Sequence, residues 1–156
     1  MKGFTLVEIL VSVVIMSAMI IGLLQIFSAG QNVYSSNQAL MEKQRIIQQV
    51  LGGMVREIRQ ASAADITVNS SNDQIDFTVP VTIDPIAMSN TISYSLSGDQ
   101  LIRTHPPGVQ AVLATNVDSL TFTLNGDLLE IEIQARVDVN TGDIVFTVQE
   151  IVDIRS

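Results

Sequence analysis

The chain has 156 residues, of which 47% are hydrophobic, and its 16 acids and 8 bases give a formal net charge of −8. It contains no cysteine, which excludes a disulfide framework, a thiol nucleophile and a thiolate metal site. Lys43, Arg45, Arg56, Arg59, Arg103, Arg136 and Arg155 are scattered among more numerous acids, so the body does not suit a polyphosphate and no nucleic-acid partner is expected.

The apolar excess is uneven. No charged side chain occurs from Ile9 to Met41, and every charge except Lys2 and Glu8 lies from Glu42 onward. The chain thus divides into a membrane-compatible arm and an anionic body. The run Ile9–Leu24 is apolar apart from Ser12 and Ser17 and continues uncharged through Ile26 and Phe27. It reaches the roughly 20 residues that a membrane span needs. One reading is a cleaved secretory signal, with Lys2 as its basic region and Ser28 and Gly30 at the cut, releasing a soluble domain that starts near Gln31. Two features oppose it. Glu8 opens the apolar run, where a carboxylate at mid-membrane costs roughly 2.5–3.5 kcal/mol and a signal peptide has no use for one. The helical pattern also continues past the supposed cut, with Leu40, Ile47, Leu51, Met54 and Ile58 forming one stripe.

The segment Lys2-Gly3-Phe4-Thr5-Leu6-Val7-Glu8, followed by Ile9-Leu10-Val11, resembles the prepilin signature of type IV pilins and type II secretion pseudopilins. The resemblance implies cleavage by a membrane prepilin peptidase between Gly3 and Phe4, N-methylation of the new Phe4 amine, and an assembly role for Glu8, the fifth mature residue. It also implies a set of partners: the peptidase, other pilins or pseudopilins, an inner-membrane assembly platform and membrane lipid. The chemistry of these positions agrees. Gly3 has no side chain, so the scissile backbone can lie close against a protease, and a cut there keeps the apolar helix attached. It also creates an ammonium on Phe4 four residues before Glu8. Pairing the two, within one helix or between neighbouring subunits, neutralises charges that are costly in lipid. The alternative role for Glu8 is a carboxylate snorkelling to the headgroups.

No proline precedes Pro80, so a helix is expected from about Thr5 to about Ala61, with Gly22, Gly30 and Gly52-Gly53 as bends or weak points. Many major pilins carry a proline in this helix, so the resemblance favours a minor subunit. The stripe ending in Leu51, Met54, Val55 and Ile58 is expected to pack on the body's sheet. Glu42, Lys43, Arg45, Arg56, Glu57 and Arg59 are expected on a solvated face. The string Met54-Val55-Arg56-Glu57-Ile58-Arg59-Gln60-Ala61 is similar to the helix end of pseudopilin J and W-type minor pilins.

After Ala64 the period becomes twofold. Ile75, Phe77, Val79 and Val81 alternate with polar residues, as do Ile92, Tyr94 and Leu96, then Leu120, Phe122 and Leu124, then Ile131 to Val139. Turns are expected at Ser97-Gly98-Asp99, Asn125-Gly126 and Asn140-Thr141-Gly142, and a last strand from Ile144 to about Ile154 completes one sheet. Pro80–Pro85 and Thr104–Gly108 are expected as loops or edges. The stretch Tyr94 to Arg103 and the ending Val152 to Ser156 resemble the same J and W-type group. The expected class is α+β, a pilin fold with a long N-terminal membrane and assembly helix packed on a C-terminal antiparallel β-sheet. Its divisions are a leader at 1–3, a transmembrane helix at 4–30, an amphipathic continuation at 31–62 and a β domain at 63–156.

Catalytic signals are sparse. His105, the single histidine, lies in His-Pro-Pro, so it reads as a loop residue and no histidine cluster is available. Glu130 and Glu132 share a strand face and read as solvated acids. No phosphate loop, dinucleotide fingerprint or Gly-x-Ser-x-Gly elbow occurs. No cofactor is expected, and the one ligand retained is calcium, for which Asp138, Asn140 and Asp143 supply oxygens around a tight turn. The chain is therefore read as a structural subunit and not an enzyme, a minor pilin or minor pseudopilin. It is anchored once in a bacterial inner membrane with its body on the exported side, then extracted into a pilus, pseudopilus or priming tip. The alternative is a membrane-anchored adhesin or DNA-uptake module on the same scaffold, for which no basic or aromatic groove is legible.

Overall fold

The computed structural model describes residues 5–79, 90–139 and 142–154. The expected loop Pro80–Pro85, strand position Val81, turn residues Asn140 and Thr141, and the ending Arg155-Ser156 lie outside the described residues. By its contacts the chain forms two units, Met1–Ala39 and Leu40–Ser156, and each is described by itself.

The first unit is carried by the N-terminal part of one helix, α1 (Leu6–Ile58). Its backbone hydrogen bonding runs uninterrupted through all four glycines placed there as weak points. An 18-residue window reaches a mean hydropathy of 2.6 with none of it buried within the chain, so the helix is long and apolar enough to cross a membrane. At about 1.5 Å per residue, Ile9–Phe27 covers roughly 28 Å, close to the hydrocarbon thickness of a bilayer. Ser12 and Ser17 donate their hydroxyls to the carbonyls of Glu8 and Val13, each at 2.7 Å. Their polarity is thereby satisfied within the helix, as an apolar solvent requires.

Among its described residues the second unit holds the C-terminal part of α1, a short 3₁₀ turn (Ala63–Asp65) and eight strands. The helix ends at Ile58, three residues short of the expected Ala61. Gln60 and Ala61 donate to Glu57 and Ile58, each at 3.0 Å, tightening the end into i→i−3 turns. The single expected sheet is in fact two. Strands β1 (Ile66–Val68), β2 (Gln74–Thr78), β3 (Thr91–Ser97), β4 (Gln100–Thr104) and β5 (Gln110–Ala114) form a five-stranded antiparallel sheet in sequential order. Strands β6 (Val117–Asn125), β7 (Leu128–Val139) and β8 (Gly142–Asp153) form a three-stranded one. Alternation within each strand assigns an inner and an outer face but carries no information on which strands share a ladder.

Two of the three expected turns lie within the described residues and form as read. Gly98 and Gly126 adopt φ of 63° and 62°, the left-handed region that tight hairpins need. They set the pairs Ser97↔Gln100 and Asn125↔Leu128. The sheets are joined through backbone: Phe122 donates to the Asn72 carbonyl at 2.8 Å and Val117 to that of Asp99 at 2.9 Å. Strand β6 approaches β1 to β4, closing one core. That core takes Ile47, Leu51, Met54, Val55 and Ile58 from the helix, Ile75, Phe77, Ile92, Tyr94 and Leu101 from the first sheet, and Leu120, Phe122, Ile131 and Ile133 from the second. Each fully buried Ile or Leu contributes about 1.5–3 kcal/mol, so the expected helix stripe is a main fixture of the body. Met41 on the same helix is exposed.

Candidate functional site

Two polar arrangements stand out. At the helix start, Gly3 and Phe4 lie outside the described residues; Thr5 and Glu8 do not. The Glu8 backbone N–H lies 3.1 Å from the Thr5 carbonyl and 3.3 Å from Thr5 Oγ1. Thr5 therefore sits at the N-cap and Glu8 at the third helical position, the Ser/Thr-x-x-Glu pattern of a capping box. That pattern is present in the sequence, yet reading Glu8 only for its charge passes over Thr5. A carboxylate in the first turn also faces the positive end of the helix dipole. The side chains around it, Leu6, Val7, Ile9 and Leu10, are all exposed, so Glu8 stands at the head of an exposed apolar helix surface.

The second arrangement lies in the body and corrects an expectation. Glu57, assigned to the solvated helix face, is not free. Arg103 of β4 donates Nε and Nη2 to its two carboxylate oxygens, each at 3.0 Å, and the Tyr94 hydroxyl of β3 donates to Oε2 at 2.7 Å. The side chains of Arg103 and Glu57 retain only 23% and 30% exposure. Burial, then the bond to Glu57, pushes the Tyr94 hydroxyl above the usual tyrosine range. Tyr94 also stacks on Phe77 at 6.1 Å between ring centroids. Tyr94 and Arg103 are direct cross-strand partners, a register that follows from counting outward from the Ser97–Gln100 turn. Their meeting with Glu57 is tertiary and has no local signal. Lys43, also expected on the solvated face, donates its Nζ to the Thr115 carbonyl next to β5, whereas Glu42 and Arg45 form an exposed i,i+3 pair at 2.8 Å, in which the Arg45 hydrogen bond lowers the Glu42 carboxyl.

The calcium candidates are only partly described. Asn140 lies outside the described residues, while Asp138 and Asp143 are opposed across β7 and β8. The Asp143 carboxyl is raised above its ordinary range, first by its hydrogen bond with Asp138. Arg136 reaches Asp118 at 3.2 Å and Asp143 at 3.8 Å. Its guanidinium already supplies the positive charge that a cation would bring. Among the described residues no group of three His, Cys, Asp or Glu side chains could hold a metal ion. A calcium titration tests the candidates: a thermal midpoint that does not move would dismiss Asp138, Asn140 and Asp143 as ligands, and a rise of several degrees would support them.

The other candidates sit in a loop and on a strand face. His105 opens the loop after β4, its Nδ1 3.2 Å from the Thr91 carbonyl and its backbone N–H donating to Val109 at 3.0 Å. Thr104, expected in that loop, is the last residue of β4. Glu130 accepts a hydrogen bond from Gln149 on the neighbouring strand.

Set against known families, residues 1–24 match the family model described as the prokaryotic N-terminal methylation motif. A search of curated proteins gives no match. With the long apolar helix and the antiparallel β body, the motif supports a type IV pilin-like precursor, a structural class of protein that is processed by prepilin peptidase and assembles with other pilins.

Proposed function

We propose that the chain is a minor pilin or minor pseudopilin, of the group that includes W-type pilins and pseudopilin J, and that it acts in the priming tip complex of a pilus or secretion pseudopilus. The observation that carries the reading is the methylation motif at residues 1–24 on a helix whose far end is buried in the core of a β body. The body is thereby fixed to the helix that the motif prepares. The peptidase cuts after Gly3 and methylates Phe4. The mature helix waits in the inner membrane with the body on the exported side. Glu8 then pairs with the Phe4 ammonium of a neighbouring subunit as the helices pack. Free energy comes from helix association and from a separate motor.

The J and W-type assignment rests on three stretches, of which Met54–Ala61 and Tyr94–Arg103 meet in the fold through the Glu57, Tyr94 and Arg103 hydrogen bonds. The test is coexpression with a prepilin peptidase. The wild-type chain is expected to lose its three-residue leader, and Gly3→Val to remain uncut because a β-branched side chain blocks close approach of the backbone. Cleavage of Gly3→Val at the wild-type rate would refute the assignment of the site.

A further inference from the structure

No charge sets the depth at which the helix of the first unit sits in a bilayer. From Ile9 to Ala39 there is no acidic or basic side chain, a length of roughly 46 Å against a hydrocarbon core of about 30 Å. Such a helix can slide by several turns unless uncharged groups mark the boundary. Lys and Arg share that duty with Tyr and Trp in membrane helices; here the duty falls to an aromatic ring.

Phe27 and Tyr34 are the aromatic residues of this unit among the described residues, and they are 65% and 68% exposed. Seven residues apart, they share one helix face, with about 10 Å of helix between them. Gly30 leaves a notch there: a Cβ built on it meets nothing within 4 Å, and Ile26, Phe27, Gln31 and Tyr34 line the rest. Helical side chains lean toward the N-terminus, which brings Tyr34 to the same notch as Phe27. The lining changes character along the axis. Ile26 and Phe27 close the apolar run, whereas Gln31 and Tyr34 bring an amide and a hydroxyl that have no hydrogen-bond partner among the described residues. The hydroxyls of Ser28, Ser35 and Ser36 differ, since they donate to the carbonyls of Gln25 and Asn32 at 2.8 to 3.0 Å and mark no boundary.

We infer that the notch seats a phospholipid at the membrane boundary and thereby fixes the depth of the helix. The upper acyl methylenes lie over Gly30 against Phe27, and the ester and phosphate oxygens accept hydrogen bonds from the Gln31 amide and the Tyr34 hydroxyl. Position and chemistry select this occupant. With Tyr34 at headgroup level, Ile9–Phe27 fills roughly 28 Å of hydrocarbon. A neighbouring helix offers carbonyls already bonded within its own ladder, whereas a phospholipid offers oxygens with no such partner. The inference rests on the membrane reading of the helix and adds the contact that holds it in register.

The chain has no tryptophan, so Phe27→Trp and Tyr34→Trp, each alone in the full chain, report without background. Each is placed at low protein-to-lipid ratio in vesicles of phosphatidylethanolamine and phosphatidylglycerol, with lipids brominated at graded depths as quenchers. Tyr34→Trp is expected to be quenched most by bromines nearest the ester, and Phe27→Trp by bromines about 10 Å deeper. Adding Tyr34→Ser to Phe27→Trp removes the anchor, and the depth of maximal quenching is expected to move by roughly one helix turn, about 5 Å. Gly30→Leu fills the notch and is expected to lower the quenching of Tyr34→Trp near the ester by at least about twofold. All these positions are exposed on the helix and outside the core. Emission from Tyr34→Trp as red as in water, a Phe27→Trp depth unmoved by Tyr34→Ser, or undiminished quenching in Gly30→Leu would overturn the inference. So would blue-shifted emission that no brominated lipid quenches, which would make the occupant a helix of another chain. A chain that floats with the vesicles and fails these tests overturns this inference alone; one that does not float overturns the membrane reading and this inference with it.

Discussion

Glu8→Ala is expected to leave the chain cut and membrane-bound while lowering its incorporation into a filament or tip complex by roughly 60-fold to 300-fold. An unpaired charge deep in lipid costs roughly 2.5–3.5 kcal/mol on insertion scales, and each 1.4 kcal/mol is a factor of ten. Removing the carboxylate leaves the neighbour's Phe4 ammonium to bear that cost. The capping geometry at Thr5 makes the control informative. Glu8→Gln keeps a side chain able to complete the capping box but cannot neutralise an ammonium. If charge pairing is the role, Gln fails as badly as Ala in a co-assembly assay. If Gln restores incorporation, Glu8 acts by shaping the helix start, and the pairing account is wrong.

Glu57→Ala is the second large effect and lives in the body. It removes the acceptor of three hydrogen bonds and leaves the Arg103 guanidinium and the Tyr94 hydroxyl beside the core without a partner. Charged hydrogen bonds contribute about 1.5–3 kcal/mol, and breaking a fully buried pair costs about 3–5. With the Arg103 and Glu57 side chains still 23% and 30% exposed, the expected loss is about 2–4 kcal/mol, read by chemical denaturation in detergent. The Tyr94 bond adds a pH signature. Its hydroxyl is raised in the fold, so its contribution is complete below the unfolded tyrosine value near 10 and declines as pH rises above that value. The stability gap between wild type and Tyr94→Phe is therefore expected to narrow above pH 10. A gap that stays constant to about pH 11.5 would mean that the fold does not raise the Tyr94 hydroxyl.

Much of this molecule is legible in its residues. The span from Ile9, the buried stripe at Ile47, Leu51, Met54 and Ile58, and the hairpins at Gly98 and Gly126 all follow from period and turn chemistry. Two strands do not. Ile66–Val68 is too short to show a period, and Gln110–Ala114 reads Gln-Ala-Val-Leu-Ala, a run without alternation in residues that favour helices, which becomes a strand only by pairing with β4. The division into two sheets is likewise a long-range property. Of the candidate site, Gly3, Phe4 and Glu8 were legible because a local motif carries them. The arrangement of Glu57 with Tyr94 and Arg103 was half legible: the hairpin register pairs the two strand residues, but nothing local brings a glutamate 37 and 46 residues away to meet them.

Where the mature chain begins separates a retained membrane helix from a discarded signal. N-terminal sequencing and intact mass of the membrane-bound protein, made in cells that contain a prepilin peptidase, decide it in one measurement. A start at Phe4 carrying one added methyl group is the predicted result; a start near Gln31, or an intact Met1, would contradict it.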